Sequence, residues 1–187
     1  MKLHYCGKYN GKEESLPREE HKPNAVKFKE PEDAKKLALV ANGIAIAVAI
    51  VVVILLLLRG GIAAYHPLGF VPALLTMFPH EILHALCFKK DVYLYTNLKQ
   101  GMLFVVGPED MSKGRFIWMS LCPNIIFGAL PFMIFLVYPQ CRFLGTWGAF
   151  ALTMGAGDYL NVFNAITQMP KGARTYLYGF HSYWYMP

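Results

Sequence analysis

The sequence predicts an all-α membrane protein of about four transmembrane helices, with a small β-hairpin between the second and the third. Three observations carry this. Hydrophobic residues make up 55% of the 187 and charged residues 16%, against roughly 25% charged in a typical soluble domain. Four apolar stretches, 37–58, 68–88, 116–138 and 143–168, are each long enough to cross a hydrocarbon core of about 30 Å at about 1.5 Å per helical residue. The Lys/Arg supply also alternates along the chain: nine before Leu37, one in 59–67, five in 89–115, one in 139–142 and two after 168. That is the pattern of four spans with both termini in the cytoplasm.

Residues 1–36 read as a cytoplasmic N-terminal tail. Their nine basic residues are interleaved with seven acids. The net charge of +6 is therefore no nucleic-acid footprint, which would want one sign of charge and interleaved aromatics. The first span, Leu37–Leu58, runs 22 residues without a charge. It is longer than the roughly 7–15 residues of a cleavable signal's apolar region and reads as a spanning signal anchor. Pro72, Pro79, Pro123 and Pro131 lie inside the later apolar runs and predict kinks that neighbouring helices rescue. Between spans two and three, Val92–Thr96 and Met102–Val106 are β-branched and aromatic, and the turn residues of 97–101 separate them. This predicts the hairpin. Residues 169–187 form a cytoplasmic C-terminal tail. Tyr138, Trp118, Trp147 and Tyr183–Tyr185 read as interface anchors. Cys6, Cys87, Cys122 and Cys141 have neither zinc-finger nor CxxC spacing and read as free thiols.

The acids point to the chemistry. Of 12, only Glu81 and Asp158 fall inside predicted spans, where an ionisable side chain costs about 2.5–3.5 kcal/mol. Glu81 lies within His80-Glu81-Ile82-Leu83-His84, the H-E-x-x-H pattern. On a helix, positions i and i+4 share one face, so two imidazoles can hold one Zn²⁺. The intervening glutamate is offset to act as general base on a metal-activated water. The bland alternative is a polar patch joining helices. A catalytic zinc wants a third protein ligand. Asp158 is the remaining buried acid, read either as that ligand or as a hydrogen-bonded structural carboxylate. Counted from the flanking charges, His80, His84, Asn124 and Asp158 all fall roughly 8–20 Å from the cytoplasmic ends of their spans, and so share a depth. Asn124, after Pro123, is read either as a donor to the oxyanion or substrate backbone or as a helix-packing amide. His4 with Cys6 reads as incidental, His66 as a loop residue at the outer interface, His181 as facing solvent or headgroups, and Asn161 and Asn164 as hydrogen-bonders between helices or behind the ligands.

These residues resemble a known group. The chain is similar to the small bacterial integral-membrane metalloproteases of the DUF3267 zincin-peptidase type and, more distantly, to the site-2 protease family. The resemblance covers Pro67–Gln168. It rests on His80–His84, the hairpin-like segment, Pro123-Asn124 and Gly157-Asp158. It implies Asp158 as third zinc ligand, although glycine here precedes the aspartate where those relatives have it following. It also implies that the hairpin, through Val92, Tyr93, Leu94, Met102, Leu103 and Phe104, pairs with an extended substrate. The expectation is then a zinc-dependent, multi-pass enzyme of the bacterial cytoplasmic membrane, its metalloprotease domain spanning residues 37–168. It would hydrolyse transmembrane or membrane-associated peptides and engage lipid and no nucleic acid. His80, His84 and Asp158 would hold the metal, with Glu81 and Asn124 catalytic. The alternatives are a non-catalytic zinc-binding adaptor, against which an intact Glu81 argues, and a metal-ion transporter, against which four spans without an inverted repeat argue.

Overall fold

The computed structural model describes residues 1–97 and 102–187. The elements in chain order are β1 (Leu3–Lys8), β2 (Val26–Lys27), α1 (Ala34–Gly60), α2 (Phe70–Leu75), α3 (Met77–Leu86), β3 (Val92–Asn97), β4 (Met102–Val106), β5 (Met111–Ser112), α4 (Lys113–Pro123), a π-helical turn (Asn124–Ala129), α5 (Leu130–Val137), α6 (Arg142–Met154), α7 (Ala156–Gln168), β6 (Arg174–Tyr178) and β7 (His181–Tyr185). The chain divides into two compact units. One comprises Met1–Lys29, Glu81–Met119 and Val162–Pro187, and the other Glu30–His80 and Ser120–Asn161.

The first unit holds all the strands among the described residues. They form a three-stranded sheet of order β1-β3-β4 and a four-stranded sheet of order β2-β7-β6-β5. β3 and β4 pair antiparallel from Tyr93↔Val106 to Asn97↔Met102, so the expected hairpin strands are paired. The expected turn at 98–101 lies outside the described residues. β1 adds to β3 in parallel, with Leu3 opposite Val92. β2 pairs antiparallel with β7, Val26 opposite Trp184, and both chain ends therefore contribute to one sheet. Phe28, Phe88, Val92, Met111, Phe116 and Met169 are buried together in the core of this unit.

The second unit is helical. Val52 and Leu56 of α1 pack with Phe132 and Phe135 of α5 and Ala149 of α6. Small residues allow α5 and α6 to approach closely. A Cβ at Gly148 would stand 2.5 Å from the Phe132 backbone nitrogen, and one at Gly145 2.5 Å from the Phe135 ring. Arg59 closes the C-terminal end of α5 by donating to the Leu136 carbonyl at 2.6 Å and the Val137 carbonyl at 3.3 Å, which satisfies carbonyls left over at a helix end. Much of α1 beyond Val52 and Leu56 is exposed and apolar, as at Leu39, Ile46, Ile50, Ile54 and Leu58.

The all-α, four-span expectation is corrected on both counts. Two sheets are present. Among the described residues, two helices are long and apolar enough to cross a membrane, Lys35–Gly60 and Lys113–Val137. The other two expected spans are each broken into shorter helices. The 68–88 stretch breaks at Thr76, between α2 and α3. Pro72 and Pro79 sit at the third position of these helices, where a missing N–H breaks no intrahelical bond. The prolines thus begin helices where kinks were expected. The 143–168 stretch breaks at Gly155, between α6 and α7. Residues 1–36, read as a tail, supply β1 and β2. A mixed-sign sequence has no local signal for strands whose partners lie far along the chain, β3 nearly half of it away and β7 most of it.

Candidate metal centre

The centre begins with α3. Its ten residues, MFPHEILHAL, put His80, Glu81 and His84 on one helical turn. One ligand atom from each lies within 4.8 Å of the others. His84 is buried, and its Nδ1 stands 2.8 Å from the Met119 carbonyl oxygen. A carbonyl can only accept, so Nδ1 carries the proton and Nε2 keeps its lone pair. That is how a metal-binding imidazole is commonly fixed, by a hydrogen bond from its other nitrogen.

Within the helical unit, His80 Nε2 lies 3.1 Å from Asp158 Oδ2. The contact is a hydrogen bond, and its length is also close to the about 3.3 Å between two ligands at about 2.0–2.1 Å from a tetrahedral zinc. The same Asp158 oxygen accepts a hydrogen bond from Asn124 Nδ2 at 2.7 Å. Asn124 is itself buried and opens the π-helical turn after Pro123. The cluster on α3, two imidazoles and a carboxylate, suits zinc: His80, Glu81 and His84 are the residues that could hold a metal there.

Glu81 is held from the strands. Its Oε2 accepts the backbone N–H of Val105 in β4 at 3.1 Å. That N–H therefore points away from β3. Among the described residues β4 has one strand neighbour, whereas β3 lies between β1 and β4. Val92, Tyr93 and Leu94, expected to pair with substrate, lie on the inner strand β3. The backbone of Tyr93 and Leu94 is flanked by β1 and β4, Val92 pairs with Leu3 of β1, Val92 and Leu94 are buried, and Tyr93 stacks on His4. Phe104 stacks on Tyr95 inside an aromatic cluster with Tyr9. Leu103, with Met102 at the start of β4, lies on the outer strand of the described sheet.

One cluster near the centre went unread in the sequence. Arg115 donates through Nε and Nη2 to the Cys87 carbonyl, just past the end of α3, at 3.0 and 2.7 Å. Its Nη1 donates to Glu109 Oε1 at 2.5 Å. Glu109 Oε2 accepts the backbone N–H groups of Lys89 and Lys90 at 2.6 and 2.8 Å. Burial pushes the Glu109 carboxyl up, but Arg115 and those two N–H groups more than offset it and hold it below the usual carboxylate range. The pair thereby fixes the turn leading from the helix that bears His84 to β3. The only local signal was an acid and a base six apart beside a Gly-Pro break. His4, expected to be incidental, pairs with Asp91 at 3.0 Å, and none of the four cysteines is in a disulfide.

Residues 73–174, just over half of the chain, match the family DUF3267, whose description reads "Putative zincin peptidase". The chain belongs to the DUF3267 family. The matched stretch contains every residue of the centre, from His80 to Asp158. The description makes DUF3267 a family of the metallopeptidase kind and implies zinc, which the donor set above fits. No curated protein and no solved structure matches the chain.

Proposed function

We propose that this DUF3267 chain is a membrane-embedded zinc metalloprotease that hydrolyses peptide bonds of transmembrane or membrane-associated substrates, in the manner of site-2 proteases. The observation that carries the reading is the His-Glu-x-x-His cluster on one helix, together with a carboxylate oxygen of Asp158 at ligand spacing from His80. His80, His84 and Asp158 are the proposed metal ligands. When bound, zinc supplies the Lewis acidity that activates water and polarises the scissile carbonyl.

The chain's own residues do the rest. Glu81 takes a proton from the attacking water and returns it to the leaving amine. The Val105 N–H fixes the direction of its carboxylate. His84 stays in the Nδ1–H tautomer by its bond to Met119. The outer edge of β4 at Leu103, which has no strand neighbour among the described residues, offers backbone groups to an extended substrate, because helical backbone is poorly open to attack. The apolar face of α1 supports lipid as surroundings. The pairing of β2 with β7 supports both termini on one side of the membrane, and the nine basic residues before Leu37 support that side being the cytoplasm.

The test is comparative membrane proteomics of cells carrying wild type or Glu81→Gln. The expected result is accumulation of uncleaved membrane proteins in the variant at equal zinc content. Identical proteomes with a zinc-loaded wild type would reject proteolysis.

A further inference from the structure

Two glycines closely precede Asp158, Gly155 and Gly157, and they differ sharply in surroundings. A Cβ at Gly157 would meet nothing within 4 Å. A Cβ at Gly155 would stand 1.8 Å from Asn124 Oδ1. Gly155 has φ −78° and ψ 16°, a conformation open to any residue. Its lack of a side chain answers to space.

The space is taken by the Asn124 amide, whose orientation is set by its neighbours. Nδ2 faces two acceptors, the Ser120 carbonyl at 3.1 Å and Asp158 Oδ2 at 2.7 Å. An amide nitrogen has two hydrogens, and both are engaged. Oδ1 consequently points to Gly155, with the Tyr159 hydroxyl at 3.4 Å. Tyr159 makes its shorter bond to the Leu152 carbonyl, at 2.8 Å, and so walls the same spot. With both N–H groups used, Asn124 has none to offer an oxyanion. It does grip the Asp158 oxygen that faces His80. The π-helical turn that Asn124 opens, directly after Pro123, is the kind of local irregularity found at functional sites.

We infer that Asn124, seated by Gly155, is a positioning residue: it fixes the carboxylate of Asp158 for the metal and takes no part in stabilising the reacting carbonyl. The inference rests on the zinc reading above. Asn124 occupies one side of Oδ2 and leaves the other toward His80, so the ligand is oriented before metal arrives. Gly155 acts one step further back, by admitting the amide.

The test uses the full chain purified in detergent. Zinc affinity is measured by chelator competition, and ligand geometry by the visible absorption of the cobalt-loaded protein. Asn124→Ala and Gly155→Ala should each weaken zinc binding about 10–100-fold, the usual effect of losing such a supporting contact, and should alter the cobalt spectrum. Gly157→Ala should match wild type in both. The double variant Asn124→Ala/Gly155→Ala should bind no more weakly than Asn124→Ala alone, because truncating the amide leaves room for the new Cβ. Since Asn124→Ala and the double variant add no clash, they carry the test even if Gly155→Ala folds poorly. Unchanged zinc affinity and cobalt spectrum in Asn124→Ala, with a zinc-loaded wild type, would overturn the inference and leave the zinc reading standing. So would additive losses in the double variant. A wild type that binds no zinc would overturn both.

Discussion

Replacing Glu109 by glutamine should destabilise the strand-bearing unit substantially, and by an amount that depends on pH. Glu109 is 6% exposed, and its two oxygens receive Arg115 Nη1 at 2.5 Å and the N–H groups of Lys89 and Lys90 at 2.6 and 2.8 Å. Glutamine keeps the size but loses the charge. It must also present its NH₂ either to the guanidinium or to the two backbone N–H groups, donor against donor. Removing one partner of a buried ion pair costs about 3–5 kcal/mol. The Arg115 side chain is 22% exposed, so some water reaches it and the lower end, about 3 kcal/mol, is expected. At about 2–4 °C per kcal/mol for a chain of this length, the midpoint of thermal unfolding in detergent should fall by roughly 6–12 °C. The folded carboxyl titrates below its ordinary value of 4.5. Its contribution is therefore complete above about pH 4.5 and is lost as pH falls through the lower folded value. The gap between wild type and variant should be constant from about pH 5 to 8 and close in acid. A loss under about 1 kcal/mol, or a gap that persists unchanged in acid, would refute the assignment of Glu109 and Arg115 as a buried clamp.

Other outcomes follow from the same geometry. Asp158→Asn removes the charge beside His80, so zinc affinity and turnover should fall together in metal-competition and peptidase assays. Asp158→Glu keeps the charge and should retain metal while losing activity. Gly148→Ala puts a methyl 2.5 Å from the Phe132 nitrogen and should cost about 1–3 kcal/mol by overpacking, read as a lowered unfolding midpoint.

Local patterns carried part of this structure. The helical spacing of His80 and His84 brings Glu81 and both imidazoles together without reference to any other element. The uncharged run from Leu37 to Leu58 has one physical outcome, the long helix α1. The β-branched and aromatic residues of Val92–Thr96 and Met102–Val106 lie in paired strands. What escaped reading is non-local. β1 reaches β3 across nearly half of the chain and β2 reaches β7 across most of it, and nothing in the composition of residues 1–36 marks those partners. Hydropathy alone joined α2 to α3 and α6 to α7, because Thr76 and Gly155 are compatible with a continuous apolar helix. Gly155 breaks the run where Asn124 fills its space, and that contact spans 31 residues of sequence. The neighbouring Gly157-Asp158 pair drew attention by resemblance, whereas the packing that matters falls two residues earlier.

The central claim is that His80 and His84 hold zinc for a reaction whose base is Glu81. Elemental analysis of the full chain purified in detergent tests it most directly. The account predicts one zinc per chain in wild type and in Glu81→Gln, and an empty site in His84→Ala. A wild type without zinc, or full occupancy in His84→Ala, would contradict it.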